Sequence, residues 1–431
     1  MGKKVKARQR HTERSNELMS KYDISKIMRK KLISVQQAIE VLKKNYPEKE
    51  IESVKLSDSL NRVLAEKIIS PISSPPYTNS AMDGFVMRWQ DVEQATENNP
   101  VKLKIIGESS AGHPFGGKPL VGSSIKISTG AIVPDGFDTV VPIELCKVEN
   151  DLLIINKVKK KYQHLRFAGE EFKVGQELLN EGTKVGSAQI ALLASIGFSQ
   201  IKVFKRPKVS IITTGSELVS FDQKVEDHQL RDSNTPMLRS AALEAGAEVI
   251  QSNHVEDDPT RTRKAIEEAA STSNIIISSG GVSMGDHDHV RDVALESGFE
   301  ELFWKVRQKP GKPMFVAKKN QTLLIALPGN PVSAFMCFKH YVRPLLQNIQ
   351  GMKFDWPVIQ SKAKYDIENK GDRTQLMRVR LISKTSEIPE IEILSKQGSH
   401  MPSTIAHADG YIIIAENERI NKGALLKVFL F

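Results

Sequence analysis

The chain has 431 residues, with 61 Lys and Arg against 51 Asp and Glu, 40% hydrophobic residues and two cysteines. At roughly 150 residues per domain, that length implies two to four globular units with ample core. Cys146 and Cys337 are too few for a secreted disulfide framework, and no paired-Cys metal motif occurs, which points to a reducing, cytoplasmic setting. No apolar run approaches the roughly 18 residues of a bilayer-spanning helix, and no apolar stretch follows the charged N-terminus, so membrane and secreted readings are set aside.

The formal charge of +10 is concentrated in residues 1–31, where eleven basic residues face three acidic ones, leaving +2 for the rest. A basic arm without interleaved aromatics reads first as a solvated extension and second as a polyanion-binding arm. The nearly balanced body argues against nucleic acid as the main partner.

From residue 32 a helical pattern (Ile33, Ala38, Ile39, Val41, Leu42) runs to Pro47. Short β-rich runs follow at Val101–Ile106, Ser124–Ser128, Thr139–Val141 and Leu152–Val158, separated by Gly and Pro, and a helical spacing returns over Ser187–Ile196. The region 32–206 is therefore expected to fold as two β-rich subdomains. Beyond Pro207, strands and helices alternate: strand Lys208–Thr213, helix Pro236–Ala245, strand Glu248–Gln251, helix Pro259–Ala270, strand Ile275–Ile277, a Gly-rich turn and a helix over His289–Glu296. Pro236 and Pro259, each after a polar residue, fit the first position of a helix. Such repetition predicts a central parallel α/β domain over 207–350, covered on both faces. After a helix over Val332–Leu346 and a linker at Gly351–Asp355, alternating strands at Val379–Ile382, Ile391–Leu394, Tyr411–Ile414 and Leu425–Leu430 predict a small C-terminal β domain over 355–431.

In an open α/β sheet, ligands bind beyond the carboxyl ends of the strands. Three such ends carry anion-friendly loops: Thr213-Thr214-Gly215-Ser216-Glu217; Ser278-Ser279-Gly280-Gly281-Val282-Ser283 running on to Asp286, His287 and Asp288; and Leu327-Pro328-Gly329-Asn330-Pro331. Glycines admit close backbone approach and hydroxyls add donors, so three loops at one edge favour a phosphate-bearing ligand over three ordinary turns. Neither GxxxxGK[ST] nor a GxGxxG after the first strand is present, which disfavours ordinary ATPases and dehydrogenases. Lys305, Lys309 and Lys312, around Pro310-Gly311, read either as a solvated edge or as cations set against an anion. Glu217, Asp257, Asp286 and Asp288 suit Mg²⁺ better than zinc, with helix capping as the alternative for Asp257 and Asp286. His287 and His289 lack a third partner for a transition-metal site. In the first region, Asp83 before Gly84, and Thr129 in Ser128-Thr129-Gly130-Ala131, read on composition alone as turn residues or as part of a site.

These motifs in order (Asn79-Ser80-Ala81-Met82-Asp83-Gly84, Thr129-Gly130-Ala131, Thr214-Gly215 with Glu217, Ser278–Gly285 with Asp288, Lys309–Pro313 and Leu327–Pro331) make the chain from about residue 32 resemble the molybdopterin molybdenumtransferases, the MoeA family, also found as the E domain of gephyrin. The resemblance implies an enzyme that takes adenylylated molybdopterin and molybdate, cleaves the adenylate with Mg²⁺ and delivers molybdenum cofactor and AMP. It also implies a homodimer, with transient contacts to the adenylyltransferase that precedes it and to the molybdoenzymes it supplies. Carried over by motif, Asp83, Glu217, Asp288, Lys305 and Lys309 would act in catalysis. Thr129, Thr214, Gly215, Gly280, Gly281, Ser283, Lys312, Pro328, Gly329, Asn330 and Ser399 would bind substrate, and Asp257, Asp288 and Glu217 would hold the metal. Lysines and a divalent cation suit the task of joining two anions that repel each other, and a carboxylate can orient water against the adenylate phosphorus. Glu171 stands where the family typically has Asp, and the arm before residue 32 has no family counterpart. Competing readings are a scaffold that keeps the fold without catalysis, and a pterin-binding adenylyltransferase, whose fold resembles 207–346 alone.

Overall fold

In the computed structural model, residues 32–282, 289–382 and 388–431 are described. They form two compact units: residues 66–181 with 188–199, and the remainder. The basic arm lies outside the described residues.

The smaller unit is built on a sheet whose strands lie in the order Thr139–Pro142, Gly84–Met87, Ser123–Ile127, Val101–Ser109, Leu152–Ile155 and Lys147–Glu149. The strand Gly84–Met87 sits between two neighbours, and successive side chains alternate between faces. Phe85 and Met87 pack with Leu103, Val141 and Leu153 on one side, and Val86 packs with Ile125, Ile127 and Val140 on the other. A double-sided core explains the unbroken apolar run. Gly84 is required by close approach, because a Cβ there would collide with the Val141 carbonyl.

In the larger unit, helix α1 (Val35–Asn45) opens with a reciprocal cap: the Gln37 amide N–H donates to Ser34 Oγ, and the Ser34 N–H donates to Gln37 Oε1. Its Ala38, Ile39 and Leu42 enter the main core. The central layer then runs β1 (Lys208–Thr214), α2 (Asn234–Glu244), β2 (Glu248–Val255), α3 (Pro259–Thr272), β3 (Ile275–Ser279), α4 (Val290–Glu296), β4 (Glu300–Trp304), β5 (Phe315–Lys319), β6 (Thr322–Leu327) and α5 (Pro331–Cys337). The sheet order is β2-β1-β3-β6-β5-β4. The pairings β2–β1, β1–β3 and β3–β6 are parallel, as expected from the alternation. The other half corrects the parallel expectation: β5 pairs antiparallel with both β6 and β4, so the sheet is mixed. The β5–β6 turn is made by Asn320 at φ 53°, a left-handed conformation that Asn tolerates. Helices cover both faces, with one core holding Ile211, Ile277, Leu323 and Ile325, and the other Ile212, Ile276, Phe315 and Leu324.

Two helix starts are instructive. Asp258 caps α3 by accepting from the Arg261 N–H at 2.7 Å, with Pro259 first inside. Helix α2 begins at Asn234, two residues before Pro236, because the buried Asp232 carboxylate accepts from the N–H groups of Asn234 and Thr235 (2.9 and 3.0 Å) and from the Thr213 hydroxyl. The long helix expected over Val332–Leu346 is α5, a π-helical turn over Phe338–Val342 and a further helix over Arg343–Ile349.

The C-terminal strands Thr374–Leu381, Glu390–Ile393, Val358–Ala363, Leu425–Leu430 and Gly410–Ile414 pair in that order, and the last pairs back to the first, closing a barrel. Ile391, Ile412, Ile414 and Val428 are buried together in its core. The short strand Gln308–Lys309 joins it in parallel, with Lys309 opposite Gln375.

Candidate active site

The three Gly-bearing loops converge. A cavity of about 620 Å³ lies at the carboxyl ends of β1, β3 and β6, lined by Thr214, Gly215, Glu217, Asp257, Gly280, Gly281, Pro328, Gly329 and Asn330, together with Asn234, Pro313 and His400. Nine residues singled out from the sequence therefore share one wall system. Gly280 and Gly281 have φ of 97° and 64°, and a Cβ on Gly280 would stand 2.7 Å from Thr214 Oγ1 and collide with the Thr214 carbonyl. The first two loops thus pack backbone against backbone, which only glycine permits. Thr214 Oγ1 and Ser278 Oγ are buried without a hydrogen-bond partner among the described residues.

Asn234 ties the third loop to this edge. Its Nδ2 donates to Ser279 Oγ at 2.9 Å and to the Gly329 carbonyl at 2.6 Å. A carbonyl only accepts, so the amide orientation is fixed. Asp257 acts on the first loop, its Oδ2 accepting from the Ser216 N–H at 3.1 Å. That bond gives Asp257 a loop-holding role, while the helix cap considered for it from sequence falls to Asp258.

The lysine segment is organised by a residue that composition hides. Gln308 is fully buried: its Nε2 donates to the Gly311 carbonyl at 3.2 Å and to Cys337 Sγ at 3.3 Å, and its Oε1 accepts from Tyr341. Gly311 has φ 93°, and a Cβ there would collide with Cys337 Sγ and stand 2.7 Å from Gln308 Nε2. With Gln308 inward and Gly311 pressed on helix α5, Lys309 and Lys312 are exposed, and Pro313 reaches the cavity wall. Lys305 has φ 70° and its Nζ lies 3.6 Å from the centre of the Trp304 ring, which the Arg291 guanidinium also approaches at 4.4 Å. Burial, then Lys312 and Arg291, hold the Lys305 ammonium below the ordinary lysine pKa. Lys305, Lys309 and Lys312 border the cavity segment rather than line it.

Ser399 serves the site through its backbone: its carbonyl accepts from the Val332 N–H at the start of α5, where Pro331 has no N–H to give. Beside it lies a residue the sequence did not reveal. Arg378, on the barrel strand Thr374–Leu381, is wholly buried; one terminal nitrogen donates to the Lys396 and Gly398 carbonyls (3.4 and 3.3 Å), while Nε and the other terminal nitrogen have no partner among the described residues. Desolvation lowers its pKa to about 10. A buried cation of this kind is an anion receptor in waiting. No sequence signal distinguished it from the polar face of an amphipathic strand.

In the smaller unit, Asp83 and Thr129 meet, Asp83 Oδ1 accepting from the Thr129 N–H at 2.7 Å. Glu171 accepts from Ser74 Oγ at 2.7 Å. Asp288, Ser283, Asp286 and His287 lie outside the described residues.

With this geometry in place, the comparisons are specific. Residues 33–197 match the MoeA N-terminal region (domains I and II), 210–348 a probable molybdopterin binding domain, and 360–431 the MoeA C-terminal region (domain IV). The molybdopterin molybdenumtransferase of Haemophilus influenzae is 33% identical over 86% of this chain and 91% of its own length, and that of Staphylococcus epidermidis 30% over 92% and 95%. The crystal structure of a molybdopterin biosynthesis MoeA protein from Pyrococcus horikoshii superposes with a TM-score of 0.79 at 29% identity, covering 93% of this chain and 99% of that one. The chain belongs to the MoeA family of molybdopterin molybdenumtransferases, enzymes of molybdenum cofactor biosynthesis.

Proposed function

We propose that this enzyme converts adenylylated molybdopterin and molybdate to molybdenum cofactor and AMP, acting in the cytoplasm as a homodimer with Mg²⁺ as its cofactor. The observation that carries the reading is the cavity itself, where three Gly-bearing strand ends, three carboxylates (Glu217, Asp257 and the internally bonded Asp232) and the edge of a lysine segment meet. Glycine backbone and hydroxyl groups suit a phosphate, and a pterin fits a cavity of this size.

The substrates are both anionic and repel one another. Lys309 and Lys312 lower that repulsion at the cavity edge, and Arg378, already desolvated beside the Ser399 loop, offers two unmatched donors to an oxyanion such as molybdate. Lys305, turned over Trp304, stiffens the start of the same segment. Glu217 and Asp257 would hold Mg²⁺. Their oxygen donors fit it: the ion takes one or two carboxylates, several waters and the substrate phosphate, rather than a protein cage, and among the described residues no three ligating side chains form one. When bound, the ion neutralises charge at the phosphate. Asp83, anchored on the Thr129 N–H, supplies a further carboxylate for orienting water or oxygen, with Asp288 in the same class. Transient docking with the preceding adenylyltransferase and with recipient molybdoenzymes completes the reading.

The test is AMP release when the purified protein meets adenylylated molybdopterin, Mg²⁺ and molybdate, with activation of a cofactor-free molybdoenzyme as the product readout. Molybdate-dependent release with activation is expected. Tight binding of the adenylate without turnover would overturn the insertase reading in favour of the scaffold.

A further inference from the structure

Strand β4 carries an irregularity that decides what its side chains can meet. Glu301 pairs with Ala317 and Phe303 with Val316, so two residues of β4 span one of β5, a β-bulge at Leu302. In a regular strand Glu301 and Trp304, three apart, point to opposite faces. The extra residue returns them to one face, that of their β5 partners Ala317 and Phe315. Helix α4 packs on this face through Val290, Val293 and Ala294, and brings Arg291 to both residues. Its Nε and one terminal nitrogen donate to Glu301 Oε2 at 2.9 and 2.7 Å, and its guanidinium lies 4.4 Å from the centre of the Trp304 ring and 6.0 Å from that of Phe315. The Glu301 side chain is only 5% exposed, so this charge-assisted pair is largely shielded from water and clamps the guanidinium against the indole.

The clamped ring makes two further contacts, one with the Gly-rich loop and one with the lysine segment. Its indole N–H donates to the Val282 carbonyl at 3.5 Å, and Val282 lines the Gly-lined cavity directly after Gly280 and Gly281. The Lys305 ammonium lies over the same ring at 3.6 Å. That contact needs an unusual backbone. Lys305 stands at φ 70°, a conformation that strains any residue with a Cβ and that glycine would take freely. Its N–H donates to the Met314 carbonyl at 2.8 Å and its carbonyl accepts from the Ile33 N–H at 3.3 Å, so the strained geometry is held from both sides. Strain kept at a lysine, where glycine would relieve it, points to a task for the side chain. Arg291 and Lys312 add positive potential around that ammonium, which favours an anion as the group it meets.

We propose that Trp304 is a positioning residue of the reaction: clamped by Arg291 and Glu301 and bonded to the Gly-rich loop at Val282, its ring holds the Lys305 ammonium in register with the cavity for the anionic substrate. The inference rests on the function proposed above. It gives the β4 bulge, Arg291 and Glu301 a shared purpose, which is to keep one indole ring still.

The experiment measures the affinity of the full chain for adenylylated molybdopterin by calorimetry, with Mg²⁺ and without molybdate. The proteins are wild type, Trp304→Leu, Trp304→Phe, Lys305→Met and the two double variants that add Lys305→Met to each Trp304 change. Trp304→Leu is expected to weaken binding about tenfold, and Trp304→Phe, whose ring holds a cation less well, about threefold. Beside Lys305→Met neither change weakens it further, because the ring acts through that ammonium. A circular-dichroism melt checks each fold, and the Phe pair completes the cycle if the Leu variant does not fold. Equal affinity of wild type and the Trp304 variants, or the same loss with and without the Lys305 ammonium, overturns the positioning role and leaves the insertase reading intact. A wild type that neither binds the adenylate nor releases AMP from it overturns both.

Discussion

Replacing Gly311 by Ala isolates the device that presents the lysines. At φ 93° an L residue is strained by about 1–2 kcal/mol, and the new methyl must displace Cys337 Sγ or Gln308 Nε2 from a closed core, an overpacking cost of about 1–3 kcal/mol. Against this, alanine gains about 0.4–1 kcal/mol by restricting the unfolded chain. The net destabilisation is about 2–4 kcal/mol, a fall of about 1 M in the urea midpoint at a slope near 3 kcal/mol/M. Trp304 and Trp356 fluorescence reports the unit concerned. Cys337→Ala in the same background should recover about 1 kcal/mol or more, because it removes the sulfur but not the backbone strain. A loss below about 0.5 kcal/mol for Gly311→Ala, or strict additivity with Cys337→Ala, would refute the packing argument.

Burial, followed by the charge of Arg343, lowers the His340 pKa to about 3. Its unfolded value is near 6.5, so the unfolded chain binds the extra proton as pH falls through that window. Stability is full above about pH 6.5 and declines toward pH 3; at about pH 5 wild type should have lost about 2 kcal/mol to this residue, and His340→Phe should show a flatter stability curve between pH 5 and 7.5. Arg378→Met should leave stability equal or raised, since it removes a desolvated guanidinium with two unmatched nitrogens, while raising the molybdate concentration for half-maximal AMP release by about tenfold or more; a melting temperature many degrees lower would contradict this. Asp83→Asn keeps an oxygen for the Thr129 N–H and so should melt like wild type, yet lose roughly 10²-fold in turnover; unchanged turnover would remove Asp83 from the chemistry.

Much of the α/β layer was legible because its parallel strands are unbroken runs such as Ile275-Ile276-Ile277, and their ends carry glycines that a turn or a close approach requires. Strands β4 and β5 escaped because Glu300-Glu301 open one run and Lys318-Lys319 close the other, and the antiparallel half of the sheet tolerates charge that a central parallel strand does not. The cavity wall was legible for the same reason as the strands: its residues follow them directly in sequence. Gln308 and Arg378 were not, since both owe their roles to partners from remote segments, Tyr341 in one case and the Lys396–Gly398 carbonyls in the other. Asn234 was hidden behind Pro236, which drew the helix start two residues too late.

The pairing of Gln308–Lys309 with barrel strand Thr374–Leu381, and the bond from the Val332 N–H to the Ser399 carbonyl, make the C-terminal barrel a strut of the α/β domain rather than a neighbour. Cutting the chain at the linker near residue 355 would therefore remove more than Ser399 and Arg378. It would leave the lysine segment with one free edge and α5 with an uncapped start. The α/β domain of this protein cannot be borrowed as a self-sufficient pterin module, however closely its strand order suggests one: its lysine edge and helix start are completed by a domain encoded downstream.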